Sequence, residues 1–270
     1  MVVQHNLTAM NTNRQLGITT SAQAKSTEKL SSGYRINRAG DDAAGLSISE
    51  KMRSQIRGLD KASTNAQDGI SAIQTAEGAL NEVHSILQRM NELSTQAAND
   101  TNTTTDRTAI AAEITQLTSE IDRIQTTTQF NTMNLLDGTF KDKKLQVGAL
   151  KDQTIDISIE DMSAQELGVD ALDVTDNTNA GTSMKAVQDA IEKVSTQRSA
   201  LGAIQNRLEH TIANLDTTSE NTSAAESRIR DVDMAEEMVA YSKNNILAQA
   251  GQSMLAQANQ SNQGVLSLLQ

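Results

Sequence analysis

The sequence contains no cysteine, no proline and no tryptophan, and its 270 residues include only two phenylalanines and two tyrosines. Without cysteine, the chain cannot form disulfides, thiolate metal sites or a cysteine nucleophile. Without proline, no residue forces a kink in a long helix. The apolar residues are therefore mainly Ala, Leu, Ile, Val and Met, whose small and aliphatic side chains suit close packing between helices.

Positive charge and long apolar runs are also scarce. The formal net charge of -11 argues against binding to nucleic acid or to an anionic membrane surface. No stretch approaches the roughly 18 consecutive apolar residues of a spanning helix, so no membrane insertion is expected. The first residues lack the basic start and apolar run of a secretory signal peptide. Composition alone therefore predicts a cytoplasmic protein.

Both ends of the chain lack charge altogether. Residues 1–13 and 244–270 contain no charged side chain, yet both have apolar residues at helical spacing. Such ends predict segments that pair with each other and then with further copies of the chain, ordering as they assemble. The residues predicted to mediate this polymerisation are Leu7, Met10, Ile246, Leu247, Met254, Leu255, Leu266 and Leu269.

Hydrophobic periodicity predicts four long helices and a helical C-terminal segment. The strongest pattern, with apolar residues three or four apart, predicts one helix from Ala43 to Asn99, about 85 Å long at ~1.5 Å per residue. The other predicted helices run from Gln4 to Leu30, through Ile110 to Ile124, and from Met184 towards Ile229. Polar segments at 31–45 and 99–106 are predicted loops, and charged residues 226–237 precede the terminal helix. Helices this long require long antiparallel partners.

The period changes between residues 130 and 182. Ile155, Ile157 and Ile159 alternate with polar residues, which predicts a strand with one solvated face, and Leu145 with Val147 predicts its hairpin partner. Residues 173–183 are predicted to be an exposed linker. The expected fold is mainly α, with long antiparallel coiled-coil-like helices, paired N- and C-terminal helices and a small β-hairpin segment.

No pattern of residues indicates catalysis, a cofactor or a metal. His5, His84 and His210 lack the spacing of metal ligands. The adjacent pairs Asp41-Asp42 and Glu236-Glu237 could suggest paired carboxylates, but neighbouring residues do not face each other on a helix. Phosphate-binding glycine loops, nucleophile elbows and zinc motifs are missing from the sequence. We therefore expect a protein that is not an enzyme.

The sequence resembles bacterial flagellin. The resemblance is carried by KLSSGYRINRAGDDAAGLSISEKMRSQIRGL at residues 29–59 and QDGISAIQTAEGALNEVHSILQRMNELSTQAAN at 67–99, and by AAESRIRDVDMAEEM at 224–238 and ILAQAGQSMLAQANQSNQGVLSLLQ at 246–270. It implies a filament subunit for motility whose inner domain comprises residues 1–42, with a spoke, and 231–270. Residues 43–230 would form a long-helix bundle with a hairpin near 140–160. Only residues 141–183 remain for insertions, so no large outer domain is expected.

The resemblance also implies partners and a route out of the cell. It implies unfolded export through the flagellar secretion apparatus to an extracellular filament, which replaces the cytoplasmic prediction. Expected partners are an export chaperone on the terminal helix, the filament cap, the hook-junction proteins and an innate immune Toll-like receptor. The residues matching the receptor site are Arg89, Leu93 and Glu113. Leu93 is expected to be exposed because it lies off the apolar stripe of its helix.

Two alternatives remain open at the level of sequence. A hook-filament junction protein would share the terminal helices. A cytoplasmic signalling coiled coil would also be antiparallel and rich in Ala, Ser and Thr, but it predicts a membrane segment or a sensor domain. Filaments in electron micrographs would separate the assembly classes from the signalling class.

Overall fold

The computed structural model describes the backbone of residues 6–267 and the side chains of residues 6–260, and most of this part of the chain is helical. The helices are α1 (Leu7–Ser32), α2 (Ala43–Ala97), α3 (Thr104–Thr127), α4 (Ala164–Leu167), α5 (Asn177–Arg230) and α6 (Met234–Ser267). The strands are β1 (Gln129–Phe130), β2 (Met133–Asn134), β3 (Lys143–Gln146) and β4 (Thr154–Ile157). The predicted mainly α fold is confirmed, with a small hairpin between long helices. None of the described helices is long and apolar enough to span a membrane.

Helix α2 has the length and the buried stripe that its periodicity predicts. It contains 55 residues and ends two positions before the predicted Asn99. Most of the predicted stripe is buried, namely Leu59, Ala66, Ile73, Ala76, Leu80, Val83, Leu87, Met90 and Ala97. Helix α3 adds Ile110, Ile114 and Ile121 to the core that the stripe forms from Ala66 onward. The core is therefore built from aliphatic side chains and alanine, as the lack of aromatic residues requires.

Contacts between side chains fix the directions of these helices. Arg107, near the start of α3, donates to the carbonyl of Ala97, the last residue of α2, at 3.1 Å. Further along α3, Glu113 accepts from Arg89, which lies before Ala97 on α2, at 3.0 Å. The α3 helix therefore runs antiparallel to α2. Its start is fixed by a capping box, in which Thr103 and Asp106 exchange hydrogen bonds between side chain and backbone.

The predicted hairpin is present, with slightly different bounds. Strands β3 and β4 pair antiparallel, with Leu145 opposite Ile155. Val147 lies just beyond β3, although its N–H still donates to the carbonyl of Gln153 at 2.9 Å. Ile159 lies beyond β4 and donates instead to the carbonyl of Phe140. A second hairpin, β1–β2, turns through Asn131 and Thr132, both of which have positive φ.

The prediction of an exposed linker at 173–183 is wrong. Helix α5 begins at Asn177, where Asp176 caps it by accepting from the N–H of Asn179 at 2.8 Å. Val174, Ala180 and Ser183 are buried. The spacing of apolar residues gives only a weak helix signal here, because few residues of this segment reach the core. The capping residue Asp176 is a better signal of the helix start.

The described chain divides into two compact units. One comprises the residues up to Ser54 together with those from Glu220 onward, and contains α1, α6 and the loop between α1 and α2. The other comprises Gln55–Ser219 and contains α3, α4, the hairpins and the large core. Helices α2 and α5 contribute to both units.

Candidate assembly interface

Helices α1 and α6 pair along their lengths in the first unit. Asn6 donates from Nδ2 to the carbonyl of Ala258 at 3.0 Å, and its Oδ1 caps α1 by accepting from the N–H of Ala9. Near the other end of α1, Lys29 pairs with Glu237 of α6. The two helices are therefore antiparallel, which confirms the predicted pairing of the terminal helices. Their described parts already have the helical form that the sequence predicts for the polymer.

Small residues bring the two helices close together. A Cβ placed on Gly251 would lie 3.3 Å from Cδ1 of Leu16, so glycine leaves room for the leucine. Ala248, one turn earlier on α6, is buried. Each helix thus contributes a narrow contact face to the pair, and the rest of its apolar surface remains uncovered.

The uncovered surface contains most of the predicted polymerisation residues. The exposed fractions are 67% for Leu7, 65% for Met10, 67% for Ile246, 47% for Leu247 and 58% for Met254. Leu255 is partly buried, and the side chains of Leu266 and Leu269 lie outside the described residues. Four further exposed apolar residues on the same helices were not predicted, namely Ile18, Met234, Met238 and Val239. The adjacent pair Met238-Val239 could have been recognised by the same doublet pattern as Ile246-Leu247.

Exposed apolar side chains lie on both of the paired helices and mark a candidate contact surface. We call the exposed set Leu7, Met10, Ile18, Ile246, Leu247 and Met254 the apolar face. Water-exposed apolar surface of this kind commonly marks a site of protein association. Both helices of the pair contribute residues to it.

A polar cluster lies inside the otherwise apolar contact between α1 and α6. The Lys29 Nζ lies 3.1 Å from Glu237 Oε2, and the two side chains are 23% and 13% exposed. Ser26, one turn before Lys29, is buried and also donates to the Glu237 carboxylate. The hydrogen bond from Ser26 and the contact with Lys29 hold the pKa of Glu237 below its usual value, against the opposing effect of burial.

The loop between α1 and α2, predicted as an irregular spoke, is bound to the α5–α6 junction. Gly33 ends α1 with φ 75°, a left-handed conformation that favours glycine. The N–H of Arg35 donates to the carbonyl of Arg230 at 2.7 Å. The N–H of Val232 donates to the carbonyl of Gly33 at 3.1 Å. The guanidinium of Arg230 lies 4.6 Å from the centre of the Tyr34 ring, a cation–π contact.

Each member of the Asp41-Asp42 pair has a structural partner. Asp41 contacts the Lys25 ammonium at 2.8 Å and accepts the N–H groups of Asn37 and Arg38. The hydrogen bond from Lys25, together with that from the backbone of Arg38, lowers the pKa of Asp41 from 3.8 to about 2. Asp42 caps the start of α2 by accepting from the N–H of Gly45 at 2.8 Å. The two carboxylates thus hold the spoke and the helix start.

The predicted receptor residues lie together, but Leu93 is not exposed. Arg89 on α2 binds Glu113 on α3 at 2.9 Å and Glu92 on its own helix at 3.1 Å, and Arg89 and Glu113 remain about half exposed. Leu93 is only 2% exposed and belongs to the core with Met90. The expectation of exposure was wrong because α3 covers this side of α2, which widens the buried face beyond the main stripe.

Within the described part of the chain, no group of three His, Asp or Glu residues could hold a metal ion.

Comparison with known protein families covers both halves of the chain. Residues 3–141 match the family described as the bacterial flagellin N-terminal helical region, and residues 184–269 match the bacterial flagellin C-terminal helical region. Apart from the extreme ends of the chain, the two matches leave out only residues 142–183, which contain the β3–β4 hairpin, α4 and the start of α5.

Individual proteins match over their whole length. The chain is 59% identical to a flagellin of Halalkalibacterium halodurans and 54% identical to a flagellin of Bacillus subtilis, in each case over 100% of both proteins. Among solved structures, the crystal structure of Bacillus cereus flagellin is 34% identical, with a TM-score of 0.50, and the match covers 60% of this chain and 94% of that one.

These matches include helices α1 and α6, which carry the apolar face. They favour a filament subunit over a junction protein or a signalling coiled coil. The chain belongs to the family of bacterial flagellins, the structural proteins of the flagellar filament.

Proposed function

We propose that this chain polymerises into the flagellar filament through the apolar face of its paired terminal helices. The observation that carries the proposal is the exposure of Leu7, Met10, Ile246 and Met254 on helices that are paired with each other. At ~25 cal/mol per Å² of buried apolar surface, covering such side chains with a second copy is favourable. The role is structural rather than catalytic.

The chain is assigned two domains. Residues 1–42, including the spoke, and residues 231–270 make up the inner filament-core domain. Residues 43–230 make up the long-helix bundle with its hairpin near 140–160, without a large outer domain. Copies of the inner domain meet through the apolar face, and Leu255, Leu266 and Leu269 are further residues that we propose to take part in polymerisation.

Electron microscopy of the concentrated chain tests the proposal. Long uniform filaments are expected, and their absence would contradict it. Limited proteolysis adds a second readout, because the uncharged ends are expected to be trimmed in the monomer and protected in the filament. Equal protection in both states would contradict the coupling between order and assembly.

Location and export belong to the same proposal. The chain leaves the cell through the flagellar secretion apparatus and works outside it, where the filament cap and the hook-junction proteins adjoin the polymer. Before export, the apolar residues between Ile246 and Leu269 need cover, since exposed apolar surface promotes aggregation. A dedicated export chaperone wraps this segment.

The chaperone proposal has a direct test. Removing residues 231–270 should abolish capture of the chaperone in a pull-down from purified components. A chain truncated only at its N-terminal uncharged end, residues 1–13, is the matched control and should still bind. Retained binding after the C-terminal truncation would place the chaperone site elsewhere.

A Toll-like receptor is the proposed partner of the α2–α3 surface of the monomer. The half-exposed Arg89 and Glu113, which lie 2.9 Å apart as an ion pair, would make the contact. Leu93 supports this surface from the core rather than touching the receptor, since it is 2% exposed. Arg89→Ala should sharply reduce receptor binding, whereas binding like that of the parent would remove Arg89 from the site.

A further inference from the structure

The backbone hydrogen bonds between residues 33–35 and 230–232 hold the α1–α6 pair together at the spoke, whereas most of the contact between the two helices themselves has few features that fix its register. The described residues 6–13 and 244–260 are uncharged, and the contact includes the small residues Ala248 and Gly251. Two helices that meet through small side chains can slide past each other by one turn, about 5.4 Å, and still make similar contacts. A filament built from many copies needs one register in every copy.

One cluster in this contact does depend on register. Ser26 and Lys29 are three residues apart on α1 and therefore lie on the same side of that helix. Both contact the carboxylate of Glu237, in the first turn of α6. Among the described ion pairs, Lys29 with Glu237 is the one in which both partners are most withdrawn from solvent.

We infer that Ser26, Lys29 and Glu237 form a register pin, which selects one alignment of α1 against α6. A slip of one turn would separate the carboxylate from both of its partners and leave charges unpaired in a largely buried place. An apolar contact at the same position would tolerate the slip. Buried polar groups between helices are known to specify register in this way, at some cost in stability.

The placement of the charges agrees with this role. Lys29 lies in the last turn of α1 and Glu237 in the first turn of α6, where the helix dipoles favour a cation and an anion respectively. The N–H of Gly33 donates to the carbonyl of Lys29 at 2.9 Å, which fixes the backbone that carries the lysine. The pin therefore lies at the end of the pair nearest the spoke, far from the contact between Asn6 and Ala258.

The chain offers a direct readout of register, because it has no cysteine of its own. A Cβ on Gly251 would lie 3.9 Å from the Cβ of Leu16, within the range of about 3.5–4.5 Å found in disulfides. The variant Leu16→Cys/Gly251→Cys therefore reports the native register. The variant Leu16→Cys/Ala248→Cys, one turn away on α6, reports a slipped register. Gel mobility and mass spectrometry count intrachain closure.

Each reporter is combined with Lys29→Met/Glu237→Met, which replaces the pair by apolar side chains of similar length. With the pin intact, closure at 251 should exceed closure at 248 roughly tenfold, because position 251 lies within disulfide reach of position 16 in the native register. Without the pin, this preference should fall towards about unity while the helical content of the monomer, measured by circular dichroism, stays that of the parent. Glu28→Gln/Arg38→Gln, which removes the neighbouring exposed pair, is the matched control and should keep the full preference.

Two results would overturn the pin. One is an unchanged preference in Lys29→Met/Glu237→Met. The other is loss of helical content in the monomer of that variant, which would assign the pair to stability instead of register. Disulfide closure takes place within one chain, so it can be measured at one protein concentration whether or not filaments form. The inference therefore rests on the proposed function only for the role of the pin in filaments. Absence of filaments in the parent would count against the proposed function and not against the pin.

Discussion

Gly58 in α2 lies so close to Ala149, in the turn between β3 and β4, that a Cβ on Gly58 would be 2.9 Å from the Cβ of Ala149 and 3.3 Å from its Cα. Gly58→Ala should therefore push the turn away from the helix. Neither atom of Ala149 belongs to a flexible side chain, so relief requires backbone movement. Overpacking of this kind costs about 1–3 kcal/mol of the free energy of unfolding, measured by urea denaturation.

Gly78 provides the control in the same helix. A Cβ there would meet nothing within 4 Å. Gly78→Ala should stabilise the chain by about 0.5–1 kcal/mol, because alanine loses less backbone entropy in a helix. Stabilisation by both substitutions would show that the turn does not pack against Gly58 as described.

The second prediction separates Leu93 from Arg89. Leu93→Ala should lower the free energy of unfolding by about 2–5 kcal/mol, because it leaves a cavity in the core beside Met90. Arg89→Ala removes a half-exposed ion pair and should cost about 1 kcal/mol or less. Thermal unfolding of the two variants measures the difference. If Leu93→Ala were as mild as Arg89→Ala, Leu93 would belong to the surface after all.

The third prediction concerns the titration of Asp41. The pKa of Asp41 is about 2 because Lys25 donates to its carboxylate. Its folded value is below the ordinary 3.8, so its contribution to stability is complete above about pH 4 and is lost as the pH falls towards 2. Lys25→Met should raise the pKa of Asp41 towards 3.8, read from the carboxyl carbon shift in an NMR titration. A midpoint that stays near 2 would assign the shift to the backbone N–H groups alone.

The long helices were predictable because their residues repeat. In α2, apolar positions three or four residues apart continue without interruption from Ala66 to Met90, and the predicted end differed by two residues. Leu93 was misassigned because the stripe of one helix cannot show how many neighbours that helix has. The start of α5 was missed because its first turn buries little, although Asp176 was available as a cap.

The paired ends were predictable for a different reason, the absence of charge over residues 1–13 and 244–270. Their detailed contacts were not. Glu237 meets Lys29 across 208 positions of sequence, and Arg35 meets Ile229 across 194. No local pattern identifies such partners, since any charged residue near a helix end has several possible partners at the level of sequence.

The central claim is that the apolar face of α1 and α6 drives polymerisation, and substitution at Ile246 tests it. Ile246 is 67% exposed in the single chain, so changing it should leave the fold of the monomer intact. Ile246→Asp would bury an unpaired carboxylate in every contact, at a cost of several kcal/mol. Ile246→Leu keeps the apolar surface and is the matched control.

The measurement is the lowest protein concentration at which filaments sediment. Since about 1.4 kcal/mol corresponds to a factor of ten, Ile246→Asp should raise this concentration at least about a hundredfold, while Ile246→Leu should stay near the parent. Equal critical concentrations for Ile246→Asp and the parent would contradict the account, because the apolar face would then lie outside the filament contacts.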